Sequence, residues 1–310
     1  MKNIEIIASG KYIPKTKIDN KYLSKKLNVT EDFIYKRTGI QTRYHSKNEN
    51  IEDLAINSIK DLIQKNPKIN IKNTDMIIVA TTSTNTLMPG ISYKIQKWFD
   101  VKECICLDIL AGCAGFINAL DIAQSYIVTQ KAKMPLIVGV DLLSKCTDTK
   151  DLSTAILLSD GAGAIIVQEA QEEKTYCSHI NSQGQNGDIL TNNINEKLYM
   201  KGKEVYKYAV TETVKNINEI LKKSQKNIDE IKYIIPHQSN LKIMKSIANK
   251  LHIDSKKVFV NIENIGNTFC ASIPIALDEM FEKELIKKGD KIIFLGYGGG
   301  LNTGSILIEI

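Results

Sequence analysis

Two kinds of hydrophobic pattern alternate along this chain, and each predicts a different element. Short runs rich in β-branched residues predict buried strands, which fall at 75–82, 103–109, 135–140 and 161–168. Segments whose apolar residues recur every three or four positions predict helices, which fall at 91–99 and 114–128. Strands that alternate with helices in this way indicate an α/β protein with a mostly parallel sheet.

The same order of elements occurs a second time. Strands are predicted at 230–238, 257–262, 290–296 and 304–310, and helices at 241–251 and 271–285. The local sequence repeats as well: CAGFINALD at 113–121 and CASIPIALD at 270–278 are identical at five of nine positions. We therefore expect two βαβαβ halves, at 1–170 and 171–310, that pack face to face across their helices.

The segments outside this repeat are more polar. Residues 1–74 are expected to cap the first half, with a short capped helix at 30–35 (TEDFIY) and a basic loop at 37–43 (RTGIQTR). Residues 149–154 and 176–203 are interpreted as polar insertions. Because no low-complexity linker divides the chain, we expect one compact unit.

Composition fits a protein that buries a large core without disulfides or metals. The chain has 310 residues, of which 43% are hydrophobic and 25% charged. The N-terminal sequence MKNIEIIASGKYIP is too weakly apolar for a signal peptide, and no apolar run approaches the ~18 residues of a membrane span. The sequence therefore predicts a cytoplasmic protein without membrane contact.

Charge and cysteine spacing exclude further classes of function. The net charge of +6 is spread along the chain, so it does not predict a nucleic-acid binder, but it suits an acidic protein partner or an anionic substrate. The six cysteines include no C-x-x-C pair, which disfavours zinc and thioredoxin chemistry. We expect no bound metal, and thiols that are mostly buried and reduced.

Cys113 is the strongest candidate for a nucleophile. It lies in DILAGCAGF, at 108–116, where a predicted strand ends, small residues allow a tight turn and a helix begins. The free N–H groups of a helix start favour a thiolate, so we expect them to depress the pKa of Cys113. A structural cysteine buried in a close strand–helix junction would show the same pattern, and the local sequence leaves both interpretations open.

His237 and Asn267 are candidate partners of this cysteine. His237, in IIPHQSN, follows the first predicted strand of the second half, so we expect its imidazole at the carboxyl edge of the sheet. Asn267, in IGNTFC, precedes the helix that corresponds to the Cys113 helix. Each alone could be an ordinary loop or turn residue. The repeat, however, would bring both helix starts toward one central site.

Two glycine-rich stretches, 161–163 and 298–300, raise the question of a nucleotide site. Each leads into a β-branched run, whereas dinucleotide and P-loop sites need a helix start, so we expect no nucleotide cofactor. Tight turns explain both stretches. A backbone N–H within 298–300 is in addition a candidate oxyanion donor.

Together these residues resemble the β-ketoacyl-acyl-carrier-protein synthase III family over essentially the whole chain. The shared motifs are RTGI at 37–40, ATTS at 80–83, GCAGF at 112–116, DGAGA at 160–164, Met200 with Gly202, PHQ at 236–238, GNT at 266–268 and the glycines at 298–300. The resemblance implies a homodimer with a thiolase-like fold, whose duplicated halves form five α-β-α-β-α layers. It also implies a catalytic triad of Cys113, His237 and Asn267.

The activity that the resemblance implies is a decarboxylative condensation. Cys113 would take an acyl group from a thioester, and malonyl-acyl-carrier protein would lose CO₂ to give an enolate that attacks the acyl-cysteine. His237 and Asn267 would hydrogen-bond the thioester oxygen as it becomes the enolate, and the N–H groups of Cys113 and Gly299 would hold the other oxyanion. The 3-oxoacyl product would serve fatty acid or related specialised biosynthesis.

The resemblance also assigns residues to the substrates. Contacts to the acyl thioester fall on Phe33, Arg37, Met88, Leu152, Leu158, Met200, Gly202, Tyr206, Ser239 and Lys242. A docking face for the acyl-carrier protein falls on Lys207, Lys242, Lys245 and Lys250. Solvated helix faces explain these lysines equally well, and either coenzyme A or the carrier protein could deliver the primer.

Four of these positions depart from the family. An aromatic residue, typically Trp, and an Arg hold the adenine of coenzyme A in the family, whereas this chain has Phe33 and Leu152. Met88 replaces a residue, often Phe, that enters the partner subunit's acyl pocket, and Leu158 replaces a bulkier aromatic residue. The first pair favours a carrier-bound donor, and the second pair favours a roomier acyl pocket.

Other functions share parts of this pattern. A non-decarboxylating acyltransferase, which moves an acyl group from a thioester to an alcohol or amine, would use the same fold and nucleophile. A non-catalytic scaffold would retain the fold alone. Thiolase proper uses a second cysteine as its base and is disfavoured, because His237 and Asn267 fit the synthase pattern and Cys270 falls at the start of the equivalent helix.

Overall fold

Two β-sheets, one from each half of the chain, form the framework of the computed structural model, which describes residues 3–194 and 196–310. The strands are β1 (Ile4–Tyr12), β2 (Thr16–Asp19), β3 (Thr42–His45), β4 (Met76–Ala80), β5 (Ile105–Ile109), β6 (Pro135–Asp141), β7 (Gly161–Glu169), β8 (Tyr176–Ser182), β9 (Leu190–Thr191), β10 (Tyr199–Met200), β11 (Ile231–Pro236), β12 (Lys291–Gly298) and β13 (Asn302–Glu309). The α-helices are α1 (Asn20–Leu27), α2 (Glu31–Thr38), α3 (Ile51–Lys65), α4 (Ile91–Phe99), α5 (Gly115–Val128), α6 (Leu152–Ala155), α7 (Gly202–Ser224), α8 (Leu241–Lys250), α9 (Ile262–Ile265) and α10 (Ser272–Glu282).

The two sheets have matching topology. The first runs β1-β7-β6-β4-β5, in which β6, β4 and β5 are parallel while β7 and β1 each pair antiparallel with their neighbours. The second runs β8-β13-β12-β11, in which β12 and β11 are parallel while β13 and β8 each pair antiparallel. The duplication that the sequence predicts is therefore present in the strand order.

Five layers result, because helices cover both sheets on the outside and separate them on the inside. α5 and α10 lie between the sheets and form the central core, where the rings of Phe116 and Phe294 pack edge to face at 6.3 Å. α3 and α4 cover the outer face of the first sheet, and α7 and α8 that of the second. The predicted α-β-α-β-α arrangement is confirmed.

The predicted strand at 257–262 is wrong. Val258 makes a single bridge to β11, and α9 begins soon afterwards. The side chain of Gln238 explains the interruption, since its amide donates to the Phe259 carbonyl and accepts from the Asn261 N–H, both at 3.0 Å. These backbone groups are then unavailable to a sheet ladder, so the second half retains only a remnant of its fifth strand.

The polar segment 176–203 is only in part an insertion. Its first residues form β8, which pairs antiparallel with β13 at the edge of the second sheet. The sequence YCSHINS gives little sign of a strand, because an edge strand keeps one side in solvent and carries polar residues there. The short β9–β10 pair lies further along the same segment.

The prediction of a basic loop at 37–43 is wrong at both ends: Arg37 and Thr38 complete α2, and Arg43 is a fully buried residue of β3. Its guanidinium donates from Nε and Nη2 to the Ile156 carbonyl and from Nη1 to Asn20 Oδ1. Burial lowers the pKa of Arg43 to about 9, so the group stays charged at neutral pH. The cap is thereby fixed to the loop before β7.

The boundary between the halves at residue 170 remains a proposal. In chain order, β7 is the last strand of the first sheet and ends at Glu169, and β8 is the first strand of the second sheet and begins at Tyr176.

None of the helices in the described ranges is long and apolar enough to cross a bilayer. Over the same ranges, no three His, Cys, Asp or Glu side chains are grouped so that they could hold a metal ion.

Candidate active site

Cys113 lies at the turn that joins β5 to α5. A 3₁₀ turn, Gly112–Ala114, leads into the helix, and only 3% of Cys113 is exposed. A Cβ atom on Gly298 would lie 2.7 Å from the Cys113 sulfur, and one on Gly112, whose φ is +55°, would lie 2.0 Å from the carbonyl oxygen of Gly299. The end of β12 can therefore approach the cysteine only because these positions lack side chains.

Burial decides the protonation state of this cysteine. Loss of water raises the pKa of the Cys113 thiol to about 12, and the charge of Asp141 contributes to the rise. The N–H groups of Gly299 and of Cys113 itself hydrogen-bond the sulfur and act in the opposite direction. The expected depression of the Cys113 pKa is therefore wrong, because desolvation outweighs the two donors. Both N–H groups are thus near the sulfur, and they are the candidate donors of an oxyanion hole.

His237 directly follows β11 and is held on several sides. Its backbone N–H donates to the Leu295 carbonyl (2.7 Å), and its Nδ1 lies 2.7 Å from the Ser272 hydroxyl oxygen. The rings of Phe269 and Tyr297 pack edge-on against the imidazole, at 6.2 and 5.3 Å between centroids. Burial lowers the pKa of His237 to about 3, so the imidazole is neutral at physiological pH.

Asn267 lies in the turn before α10 and is fixed by the loop before β7. Its backbone N–H donates to the Leu157 carbonyl (3.0 Å), and its carbonyl accepts from the Ser159 N–H (2.9 Å). Its side-chain Oδ1 accepts from the Phe269 N–H at 3.1 Å. This bond fixes which end of the amide is Oδ1, and Nδ2 is the end that can donate.

One cavity of about 330 Å³ brings the three side chains together. Cys113, His237 and Asn267 all line it, although they come from different halves of the chain. The two halves touch at their helix starts, where the Cys270 thiol donates to the Gly112 carbonyl at 3.1 Å. The structure thus assembles, at its centre, the three residues that the sequence singles out.

Most of the predicted substrate contacts line the same cavity. They are Arg37, Leu158, Met200, Gly202, Tyr206, Ser239 and Lys242. Phe33, Leu152 and Met88 lie elsewhere: Phe33 is on the surface of α2 beside Arg37, whose guanidinium carbon is 5.8 Å from the ring centroid. Leu152 packs against the apolar cluster that also contains Cys113, and Met88 is 88% exposed.

A second and larger cavity, of about 1410 Å³, also reaches Cys113 and Gly299. Leu190, Leu198 and Phe269 line it and belong to the same apolar cluster as Cys113. Threonine, serine and asparagine residues at 81–86 and 191–193 supply a polar part of the wall. The volume is ample for an acyl chain.

The four lysines of the predicted docking face are exposed on neighbouring helices. Lys207 lies on α7, and Lys242, Lys245 and Lys250 lie on α8. Of these, Lys242 lines the cavity that holds the triad. The contact between the helices includes a hydrogen bond of 2.7 Å between the Tyr206 and Ser246 hydroxyls.

Sequence reasoning missed Asp141 and Ser272. Asp141, at the end of β6, is fully buried and accepts from the Thr82 N–H (2.7 Å) and the Cys270 N–H (2.9 Å). It therefore ties a loop of the first half to the start of α10. Ser272 had a visible signal, because the repeat has Gly115 at the equivalent position and a hydroxyl appears there only in the second half.

Comparison with known sequences gives a consistent result. The family model described as 3-oxoacyl-[acyl-carrier-protein] synthase III matches residues 107–184, and the one described as its C-terminal part matches residues 221–310. The chain is 38% identical to a β-ketoacyl-[acyl-carrier-protein] synthase III of Clostridium acetobutylicum, over 100% of this chain and 99% of that protein. It is 41% identical to a protein of the same name from Clostridium botulinum, over 99% of each.

Solved structures agree with this similarity. The crystal structure of 3-oxoacyl-[acyl-carrier-protein] synthase III from Aquifex aeolicus matches with a TM-score of 0.96 at 36% identity, over 99% of this chain and 100% of that chain. The corresponding structure from Thermus thermophilus matches with a TM-score of 0.94 at 31% identity, over 98% of each. The thiolase-like fold and the family resemblance that the sequence predicts are confirmed.

The raised pKa makes a prediction about the reactivity of Cys113. Only the thiolate is nucleophilic, so the rate of alkylation by iodoacetamide should rise about tenfold per pH unit from pH 7 to pH 10. Peptide mass spectrometry can follow this rate, with Cys113→Ala as the control for the labelled site. A rate that reaches its plateau below pH 8 would show that the N–H groups outweigh burial.

Proposed function

This chain belongs to the 3-oxoacyl-[acyl-carrier-protein] synthase III family of acyltransferases, and we propose that it condenses an acyl group held on Cys113 with malonyl-acyl-carrier protein. The observation that carries this proposal is the cavity in which Cys113, His237 and Asn267 meet. A buried thiol and two buried neutral donors suit a reaction that forms first an acyl-cysteine and then an enolate. The product is a 3-oxoacyl chain for fatty acid or related biosynthesis.

In the first half-reaction, the Cys113 sulfur attacks the carbonyl carbon of an acyl thioester. The new C–S bond forms as the bond to the donor thiol breaks, and the proton of Cys113 passes to that departing thiol. The N–H groups of Cys113 and Gly299 hold the oxyanion of the tetrahedral intermediate. Burial raises the pKa of the resting thiol to about 12, so the protonated form predominates before the donor binds.

In the second half-reaction, malonyl thioester takes the place of the donor. Its bond to the carboxylate carbon breaks, CO₂ leaves, and the electron pair forms an enolate that attacks the acyl carbon. The Cys113 sulfur departs and regains a proton from water. His237 and Asn267 donate to the thioester oxygen as its negative charge grows. A neutral imidazole suits this role, because it can donate a hydrogen bond to the enolate oxygen, whose negative charge exists only in the second half-reaction.

We propose that the smaller cavity is the path of the phosphopantetheine arm, which coenzyme A and carrier protein share. The contact for the adenine of coenzyme A is weak in this chain, because Arg37 already lies over the Phe33 ring and Leu152 offers neither charge nor a planar group. Carrier-bound donors are therefore favoured. Their acidic surface would dock on the exposed lysines Lys207, Lys242, Lys245 and Lys250.

We also propose a homodimer that joins two first sheets. β5 is an edge strand, and large apolar side chains near it are exposed: 70% of Leu87, 88% of Met88 and 67% of Leu110. An unpaired strand edge beside such a surface favours association. Met88 would then reach the acyl cavity of the partner.

The cytoplasmic location of the protein stays a prediction from the sequence.

Substitution of the triad should separate the two half-reactions. Cys113→Ala should abolish acylation, whereas His237→Ala and Asn267→Ala should each lower condensation about 10²–10³-fold and affect acylation far less, because the enolate forms only in the second step. Intact mass measures acylation, and product formation measures condensation. Covalent acylation of Cys113→Ala, or condensation at the wild-type rate in either other variant, would refute these roles.

The choice of donor is tested by kcat/KM for one acyl group on coenzyme A and on carrier protein. We expect carrier-bound substrate to be preferred at low salt and to lose rate at high salt, because salt screens exposed charges. Leu152→Arg should raise coenzyme A affinity by up to about thirtyfold and leave the carrier-protein rate unchanged. A wild-type preference for coenzyme A at both salt concentrations would contradict this assignment.

The oligomeric state can be measured by light scattering at micromolar concentration. We expect a dimer for the wild type and a shift toward monomer for Leu110→Asp, because the charge would have to be buried beside the β5 edge. Tyr22→Asp, at an apolar side chain that is 52% exposed on α1, is the matched control and should remain dimeric. A wild-type monomer would exclude the proposed assembly.

A further inference from the structure

The Nδ1 atom of His237 has one hydrogen-bond partner in the described part of the chain, the hydroxyl of Ser272. The two atoms are 2.7 Å apart, and each residue is only 2% exposed. Ser272 is the first residue of α10, so the helix start itself fixes the position of this hydroxyl. Which ring nitrogen carries the proton is set by the bond that the other nitrogen makes, so the direction of the hydrogen bond between Nδ1 and the Ser272 hydroxyl decides the tautomer.

The Ser272 hydroxyl has one proton and two neighbours that can accept it. The Phe269 carbonyl oxygen is 2.8 Å away, and His237 Nδ1 is 2.7 Å away. That carbonyl already accepts the backbone N–H of Ser272 in the 3₁₀ turn before α10. If the hydroxyl donates to the carbonyl, Nδ1 must carry the imidazole proton and donate to the hydroxyl oxygen. If the hydroxyl donates to Nδ1, the carbonyl keeps the Ser272 N–H as its partner and the imidazole proton lies on Nε2. Both arrangements satisfy these groups, and the role of His237 as a donor through Nε2 selects the second.

We propose that Ser272 is a positioning residue, whose hydroxyl donates to Nδ1 and so confines the imidazole proton to Nε2. The inference rests on the proposed function, in which His237 donates to the thioester oxygen as it becomes an enolate. Nε2 is a donor only in this tautomer. In the other tautomer Nε2 presents a lone pair, which would repel the growing negative charge.

The internal repeat supports a specific role for this hydroxyl. The first half has Gly115 at the equivalent position, where an added Cβ would lie 3.2 Å from the Cys270 sulfur. The second half carries a serine at the helix start that contacts the imidazole. The rings of Phe269 and Tyr297 already hold the His237 imidazole in place. The Ser272 hydroxyl therefore mainly determines which imidazole nitrogen carries the proton, and contributes less to the position of the ring.

Ser272→Ala tests the kinetic consequence, because alanine removes the hydroxyl without adding volume. We expect acylation of Cys113, followed by intact mass, to stay within about threefold of wild type. The kcat for condensation should fall about 10- to 100-fold, with the KM of the malonyl thioester unchanged. Equal losses in both half-reactions, or an unchanged kcat for condensation, would overturn the inference.

The tautomer itself can be read from ¹⁵N chemical shifts of the imidazoles in protein labelled at its four histidines. The signal of His237 is assigned by its absence from His237→Ala. We expect Nε2 to be protonated in the wild type, and a mixture of both tautomers in Ser272→Ala. A wild-type His237 that is protonated at Nδ1 would overturn the inference, as would identical wild-type and Ser272→Ala spectra.

Ser305→Ala is the matched control. Ser305 is an equally buried serine whose hydroxyl bonds to the side chain of Asn216 between the second sheet and α7. This variant should preserve the ratio of the two half-reactions, and a condensation defect equal to that of Ser272→Ala would refute the inference. Failure of the wild type to condense would instead refute the proposed function, and the tautomer measurement would still decide the role of Ser272.

Discussion

Two helix starts, one from each half of the chain, must touch at the centre of the molecule for this site to exist. α5 and α10 begin in matching 3₁₀ turns, and the Cys270 thiol of one donates to the Gly112 carbonyl of the other at 3.1 Å. Glycine permits the approach, since a Cβ on Gly139 would lie 2.2 Å from the Cys270 carbonyl oxygen. This contact brings Cys113 and Asn267 to the same cavity, where both side chains are buried.

Burial of the reacting side chains decides the chemistry. Burial holds both the thiol and the imidazole neutral, with a pKa of about 12 for Cys113 and about 3 for His237. A resting thiolate–imidazolium pair would place two charges in a site that solvates them poorly. Charge therefore arises only during the reaction, where the N–H groups of Cys113 and Gly299 meet the first oxyanion and the side chains of His237 and Asn267 meet the second.

Sequence patterns predict the parts of this fold that are buried on all sides. The apolar runs of β4 and α5 predict these two elements directly. The similar sequences CAGFINALD and CASIPIALD indicate that α5 and α10 are equivalent helices of the two halves. β8 was missed because an edge strand carries polar residues, and the strand at 257–262 failed because the Gln238 side chain takes its backbone bonds. The strand–turn–helix pattern around Cys113 identifies it as a candidate nucleophile. The pKa of Cys113, however, depends on its burial by segments that are distant in sequence, and local sequence patterns do not predict this burial.

The decarboxylation step separates condensation most directly from acyl transfer to an alcohol or amine. Enzyme acylated on Cys113, as verified by intact mass, is mixed with malonyl-carrier protein that is labelled in its free carboxyl group. We expect one labelled CO₂ for each 3-oxoacyl product, released in the same time course in which Cys113 loses its acyl group. Loss of the acyl group without release of labelled CO₂ would contradict the condensation that Cys113, His237 and Asn267 are proposed to perform.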